Sequence, residues 1–141
     1  MLEPPRIRTA FSPFAFTVEL EAPLAQARSL MVENKVQQLP VVSAGSLVGS
    51  ISNKDIHLIL SPELGYPDMN ELLVQDAYVP NPYVVDIDEP LERVLLAMAQ
   101  GRHECALVTH SDDLVGIFTY VDACRCCGEF LQKYREHELG G

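Results

Sequence analysis

The stretches SLVGSISNKD, residues 46–55, and DLVGIFTYVD, residues 113–122, are two copies of one pattern, 67 positions apart. In each copy, an apolar run with an internal glycine is followed by Ser or Thr and, three positions later, by Asp. An apolar run of this length predicts a strand, and a hydroxyl residue with an acid three positions later predicts a helix N-terminus. Each stretch therefore predicts a strand that leads directly into a helix.

The same offset relates residues 15–55 to residues 82–122 without a gap. AFTVELEAPL aligns with PYVVDIDEPL, and the identical pairs fall at predicted turn, core and site positions. An internal repeat of this length predicts two similar structural units. Since each unit must bury its apolar face, one core shared by both repeats is expected.

Each repeat predicts the element order β-α-β-β-α. A short extended segment precedes a helix that begins near a proline, and a hairpin then leads to a second helix. The sequence therefore predicts a mixed α/β (α+β) fold of tandem repeats. The predicted ranges are strands Phe16–Leu20 and Tyr83–Ile87, helices beginning at Pro23 and Pro90, hairpin turns at Ala44-Gly45 and Asp112-Asp113, and second helices Asn53–Leu60 and about Tyr120–His137.

Composition divides the chain into three segments. Residues 1–62 are predicted to form the first repeat with an N-terminal arm, and residues 82–141 the second repeat with a C-terminal helix. Residues 63–81, which are rich in proline, are predicted to be a linker, with a short helix over 68–76 that Asp68 caps.

Bulk composition limits the classes of function. The chain has 141 residues, of which 48% are apolar and 21% charged, as is typical of a globular protein. A net charge of -10 disfavours binding to nucleic acid or to an anionic membrane, and no apolar run approaches the roughly 18 residues that span a bilayer. The N-terminal residues lack the features of a secretory signal, and the four cysteines are not spaced like a disulfide framework. A cytoplasmic protein with free thiols is predicted.

Ser52 with Asp55 and Thr119 with Asp122 have two compatible interpretations. In the structural one, the hydroxyl and the acid form a capping box at the start of a helix. In the functional one, the free amides and positive dipole end of the helix favour a phosphate, and the carboxylate accepts hydrogen bonds from ribose hydroxyls. The occurrence of the motif twice, at matching places, favours the functional interpretation.

Over about residues 14–130, the chain resembles a CBS domain pair, also called a Bateman module. The resemblance rests on APLAQARSLMVENKVQQLPVVSAGSLVGSISNKDI in the first repeat, and on YVVDIDEPLERVLLAMAQ and DLVGIFTYVDA in the second. It implies a pseudo-two-fold pair with two clefts, each built from residues of both repeats, in which an adenosine-type ligand binds. The implied residues of one cleft are Ser52, Lys54 and Asp55 with Tyr83, Val84 and Arg102; those of the other are Thr119 and Asp122 with Phe16, Thr17, Lys35 and Pro40.

The resemblance also implies a role for each residue type. The Asp residues would hold ribose, Ser52 and Thr119 would meet phosphate, Lys35 and Arg102 would supply positive charge, and the aromatic residues would flank the base. The second repeat departs from the pattern, because CALVT replaces LPVV and Glu104 places an acid beside Cys105. The sequence therefore favours the cleft of Thr119 and Asp122, whose partner segment is the conventional LPVV. Lys35 and Arg102 can also be read as ordinary surface charges.

The resulting hypothesis is a regulatory module, not an enzyme, that senses an adenine nucleotide (AMP, ADP or ATP) or S-adenosylmethionine and requires no cofactor. The resemblance implies a homodimer, and the output would pass to an effector protein. The first alternative is a ligand-free dimerising scaffold, and the second is a metal or redox protein that uses Cys124 to Cys127, whose incomplete ligand set predicts no metal site. The second helices supply the apolar faces expected at a dimer contact: Ile56, Leu58, Ile59 and Leu60 in the first repeat, and Phe130, Leu131 and Tyr134 in the second.

Overall fold

The computed structural model describes residues 5–13, 16–61, 63, 65 and 68–140. Contacts divide these residues into two compact units. The first unit comprises the described residues of 15–82, and the second unit comprises those of 1–14 and 83–141. No helix in these described ranges is long and apolar enough to cross a membrane.

The elements confirm the mixed fold and the repeated order that the sequence predicts. Each unit has two helices and one sheet of four strands. The strands are β1 (Ser12–Pro13), β2 (Val18–Glu19), β3 (Gln38–Ser43), β4 (Ser46–Ser52), β5 (Val79–Pro80), β6 (Val84–Asp86), β7 (Cys105–His110) and β8 (Asp113–Thr119), and the helices are α1 (Leu24–Asn34), α2 (Asn53–Ile59), α3 (Leu91–Gly101) and α4 (Tyr120–Gly140).

The two sheets have the same topology. The first unit has the strand order β2-β3-β4-β5 and the second β6-β7-β8-β1, with only the β2/β3 and β6/β7 pairs parallel. The registers also correspond at an offset of 67, because Val18 pairs with Val41 as Val85 pairs with Val108. A break in register follows Val41 and Val108 alike. The sequence repeat is therefore a repeat of backbone geometry.

The N-terminal arm, residues 5–13, packs on the second unit, although the sequence places it with the first repeat. Its strand β1 pairs with β8, and the Ile7 amide donates to the Glu89 carbonyl at 3.0 Å. Residues 74–80, which the sequence assigns to a linker, fill the equivalent place in the first unit, where β5 pairs with β4. The reason is that β4 and β8 each need a neighbour for their outer edge. The segment before the second repeat supplies it for β4, and the segment before the first repeat supplies it for β8.

Several local features differ from the sequence prediction by one residue or a few, as the shorter strands β2 and β6 and the helix starts at Leu24 and Leu91 show. The turn of the second hairpin consists of Ser111 and Asp112, both with positive φ, and Asp113 already belongs to β8. The predicted helix over 68–76 is replaced by an Asp68 turn, in which Asp68 Oδ1 accepts from the Asn70 amide, and by a 3-10 helix at Val74–Asp76. The Ala44-Gly45 turn is confirmed, with φ of 50° and 80°.

Each unit has its own cluster of buried apolar side chains, whereas the sequence predicted a single shared core. Val18, Leu24 and Ile51 are among the buried residues of the first cluster, and Val94 and Phe118 among those of the second. Each cluster combines residues of the helices and of the sheet of its own unit.

Candidate functional site

The first repeat's motif forms a complete helix cap. Ser52 ends β4 and is the N-cap of α2, where its hydroxyl accepts from the Asp55 amide at 3.1 Å. Asp55 Oδ2 in turn accepts from the Ser52 amide at 2.8 Å. The structural interpretation of this motif, a capping box, is confirmed.

The second repeat's motif forms a cap that is embedded in a larger cluster. Asp122 Oδ2 accepts from the amide of Thr119 at 2.9 Å and from its hydroxyl at 3.2 Å, while Asp122 Oδ1 accepts from Ser12 Oγ and from Arg125 Nη2, each at 3.0 Å. Asp122 is only 5% exposed. Its hydrogen bond to Arg125 is the main reason why the pKa of that guanidinium lies above its ordinary value. Four donors thus hold the acid of the second repeat.

The glycine of each motif allows the neighbouring edge segment to approach the strand closely. A Cβ on Gly116 would lie 2.6 Å from the Ser12 carbonyl oxygen, and it would also meet the ring of Phe11. A Cβ on Gly49 would likewise meet the Tyr78 ring at 2.6 Å. The glycine is therefore required by close packing, three residues before the hydroxyl that caps the helix.

The structure distributes the other predicted site residues over both units. The first unit holds Phe16, Thr17, Lys35, Pro40 and Lys54, and the second holds Tyr83, Val84 and Arg102. The residues predicted for each cleft are therefore divided between the two units. Lys35 and Arg102 follow α1 and α3 in the left-handed conformation, with φ of 55° and 54°, and both are exposed. Phe16, Lys54 and Val84 are also exposed, Thr17 and Tyr83 are half-buried, and Pro40 is buried in β3.

Tyr83 forms a stacked pair with His103. The two ring centroids lie 4.8 Å apart, with 15° between the planes. Partial burial is the largest cause that raises the pKa of the Tyr83 hydroxyl, followed by the nearby carboxylate of Glu89.

The cysteines of α4 form no metal centre with their neighbours. The four cysteines all lie in the described ranges and none is in a disulfide, and no group of three or more His, Cys, Asp or Glu residues there is arranged to hold a metal. Cys124 and Cys127 are exposed, whereas Cys126 is partly buried, which raises the pKa of its thiol. Cys126 and Cys127 line a groove of about 440 Å³ between α3 and α4, together with Leu91, Leu95, Phe130 and Leu131.

Sequence reasoning missed Ser12 and Arg125, the two side chains that reach the Asp122 carboxylate from outside the motif. A signal for Ser12 exists, because the 67-residue offset also aligns residues 7–13 with residues 74–80 and places Pro13 on Pro80. Extending the alignment in this way would have assigned both segments to equivalent edge strands.

Among the predicted dimer contacts, Ile56 is only 1% exposed and belongs to the core of the first unit, so it is not available to a partner. Its place on the inner face of α2 explains this. Leu58, Leu131 and Tyr134 are each at least half exposed, and Phe130 is 40% exposed. Ile59 and Leu60 are partly buried against the first unit's core.

Comparisons with known proteins identify relatives of both repeats. A family model described as CBS domain matches residues 8–61 and residues 74–129. Inosine-5'-monophosphate dehydrogenase of Thermoplasma acidophilum is 32% identical over 108 residues, which is 76% of this chain and 20% of that protein. The chain thus spans about a fifth of the length of the curated relatives it matches.

Solved structures show the same fold over nearly the whole chain. CBSX2 in complex with AMP is 25% identical, with a TM-score of 0.73 over 89% of this chain and 97% of that one. An uncharacterized conserved protein from Pyrococcus horikoshii is also 25% identical, with a TM-score of 0.75 over 90% of this chain and 95% of that one. Because both repeats match the family model and the repeated topology agrees with these structures, the chain belongs to the CBS domain family, as a tandem pair.

Proposed function

We propose that this chain is a regulatory module that binds an adenosine-type nucleotide, with AMP as the first ligand to test. The observation that carries the proposal is the strand-to-helix motif, which occurs twice and places a capped helix N-terminus beside a carboxylate each time. The free amides of a helix N-terminus attract phosphate, and a carboxylate accepts hydrogen bonds from a ribose diol. Membership of the family and the AMP complex of CBSX2 support the choice of ligand.

The proposed ligand contacts follow the sequence-based residue sets. One cleft would use Ser52, Lys54 and Asp55 with Tyr83, Val84 and Arg102, and the other Thr119 and Asp122 with Phe16, Thr17, Lys35 and Pro40. Lys35 and Arg102 suit a phosphate because both are exposed cations at equivalent helix ends. Tyr83 suits an adenine ring because its own ring is already held flat against His103. No cofactor has a part in this proposal, and neither does catalysis.

Regulation would follow from binding. A ligand held by both repeats stabilises one of their arrangements and shifts a pre-existing equilibrium. A homodimer and a separate effector protein are part of the proposal, since the exposed apolar side chains of α4 offer a contact surface. A cytoplasmic location is proposed as well, because four cysteines that form no disulfide suit a reducing compartment.

Thermal unfolding with a ligand panel tests the proposal. AMP, ADP, ATP and S-adenosylmethionine are added separately, and a ligand at 100 times its Kd should stabilise the protein by about 2.7 kcal/mol. The double variant Asp55→Asn, Asp122→Asn should lose this shift while its circular dichroism spectrum stays that of the parent. Asp112→Asn, an exposed turn residue, is the matched control and should keep the shift. A parent chain whose melting temperature no ligand moves would contradict nucleotide binding.

A dimerising scaffold is the second candidate function. Helix capping accounts for the two motifs without a ligand, and the exposed apolar side chains of α4 would form the dimer contact. Sedimentation of the parent chain and of Leu131→Asp measures this function directly. The scaffold hypothesis predicts a dimer that Leu131→Asp weakens, with no nucleotide effect in either protein. Lys133→Asp, an exposed charge reversal on the same helix, is the control.

A further inference from the structure

The Asp122 carboxylate is already saturated by donors of its own unit. Ser12 and Arg125 reach Oδ1, and the Thr119 amide and hydroxyl reach Oδ2. An ionised carboxylate accepts about four hydrogen bonds. A ribose hydroxyl can therefore bind this acid only by replacing one of the four donors.

Ser12 and Arg125 are the donors that a ligand can replace most readily. The Thr119 contacts belong to the cap of α4, and losing them would free amides at the helix start. Ser12 instead reaches Asp122 from the N-terminal arm, 110 residues earlier in the chain, and Arg125 is half exposed. Either side chain can rotate away while the helix and its cap remain in place.

The first repeat lacks both polar groups. At the 67-residue offset, Ser12 corresponds to Val79 and Arg125 to Leu58. Neither side chain has a hydrogen-bond donor, and Leu58 is 60% exposed. The edge strand and the second helix thus have the same place in each unit, but at these two positions the donors for the acid are present in the second unit and replaced by apolar side chains in the first.

We propose that Ser12 and Arg125 act as a gate on the Thr119/Asp122 site, which makes it weaker for a ribose-containing ligand than the Ser52/Asp55 site. This inference rests on the proposed nucleotide function. The sequence motifs alone favour the Thr119/Asp122 cleft as the better site, so this inference reverses the expected order of affinity. The gate is a positioning device, because Ser12 acts through the Asp122 carboxylate.

The gate also couples the ligand to the N-terminal arm. A ligand hydroxyl on Asp122 Oδ1 removes a hydrogen bond that ties β1 to α4, while the β1–β8 pairing and the arm's contacts with Glu89 remain. Coupling between two binding events is reciprocal, so a change that loosens the packing of the arm should also raise the affinity for the ligand. Amide hydrogen exchange of residues 6–12 should therefore accelerate on addition of AMP.

The test compares Ser12→Val with Ser12→Thr in a full-length Asp55→Asn background, so that only the second site is measured. Valine and threonine have nearly the same shape, but only threonine keeps the hydroxyl. AMP affinity is measured by calorimetry. Ser12→Val should bind AMP about three- to tenfold more tightly than Ser12→Thr, the range expected when one competing hydrogen bond is removed.

Arg125→Leu, which copies the first repeat, is measured with adenosine. AMP is unsuitable for this comparison, because the substitution also removes a positive charge that would attract the phosphate of AMP. Adenosine affinity should rise by a similar factor. The unmutated first site, measured in an Asp122→Asn chain, should bind AMP more tightly than the second site does.

The outcomes separate the gate from the proposed function. Equal AMP affinities for Ser12→Val and Ser12→Thr overturn the gate even though nucleotide binding stands. A Ser12→Val chain that binds while the Ser12→Thr chain does not is the strongest support for it. If the unmutated chain binds neither AMP nor adenosine, the proposed function and the gate both fail.

Discussion

The ring of Phe11 lies directly against Gly116, on the strand that leads to the Thr119/Asp122 cap. Tyr78 meets Gly49 in the same way in the first unit. In both units an aromatic residue of an edge segment covers the position where any other residue would carry its Cβ. The glycine of the motif is thus a structural requirement of the edge strand.

Gly116→Ala should therefore destabilise the protein. The new Cβ would lie 2.6 Å from the Ser12 carbonyl oxygen, and this backbone atom cannot retreat without disturbing the pairing of β1 with β8. Overpacking of this kind costs about 1–3 kcal/mol, which urea unfolding would measure. Gly128→Ala is the control, because a Cβ there meets nothing within 4 Å and alanine favours a helix. An unchanged midpoint for Gly116→Ala would show that the close approach is absent.

Ser52→Ala should destabilise the first unit through the loss of its helix cap. The Asp55 amide would lose its acceptor, and changes of this type cost about 0.5–2 kcal/mol. Ser29→Ala, an exposed position within α1, should be neutral or slightly stabilising because alanine has the higher helix propensity. Chemical denaturation of both variants measures the difference, and equal stabilities would argue against the cap.

Because of Asp88, the stability that the N-terminal arm contributes should depend on pH in the acid range. The Arg8 guanidinium donates to Asp88 Oδ1 at 3.1 Å, which is the main cause that holds the pKa of this carboxyl below its ordinary value. The stability that this contact contributes is fully present above the unfolded-state pKa of about 3.9, because Asp88 is then ionised in both the folded and the unfolded protein. As the pH falls toward the folded pKa, the unfolded chain binds the proton first and the contribution is lost.

Urea unfolding of Asp88→Asn at neutral pH and near pH 3 tests this dependence. The variant should be less stable than the parent at neutral pH, and the difference should shrink at the lower pH. Asp113→Asn, an exposed acid at the start of β8, controls for the change in net charge. A difference that stays constant with pH would exclude the Arg8 contact as its source.

The cysteines of α4 should react with alkylating reagents at different rates. Burial raises the pKa of the Cys126 thiol, so less of it is thiolate at neutral pH, while Cys124 and Cys127 are exposed. Iodoacetamide labelling followed by mass spectrometry should find Cys124 and Cys127 modified first. Unfolding in urea should remove the difference, and a difference that persists in urea would point to neighbouring sequence instead.

The motifs and the order of elements could be predicted because they are local. The Ala44-Gly45 turn follows from the residues that tolerate positive φ, and the Ser52 cap from a hydroxyl three positions before an acid. The pairing of β1 with β8 could not be read in the same way. A strand of two residues, Ser12–Pro13, has no periodicity, and its partner lies more than 100 residues away.

The candidate site was predicted to the same extent. The two capped acids were found, since their signals lie within four residues. Ser12 was missed because its contact with Asp122 depends on that distant pairing. Separate cores were missed because periodicity shows that a face is buried without showing which surface covers it.

The second unit is assembled from both ends of the chain, whereas the first is made from one continuous stretch. During synthesis, which proceeds from the N-terminus, the first unit can therefore fold as soon as its last strand, β5, has emerged. The arm cannot pack until β8 has been made, and Ile7, which is buried in the folded unit, stays exposed until then. The arm precedes the first repeat in the sequence, yet it reaches its place only after the second repeat has been made.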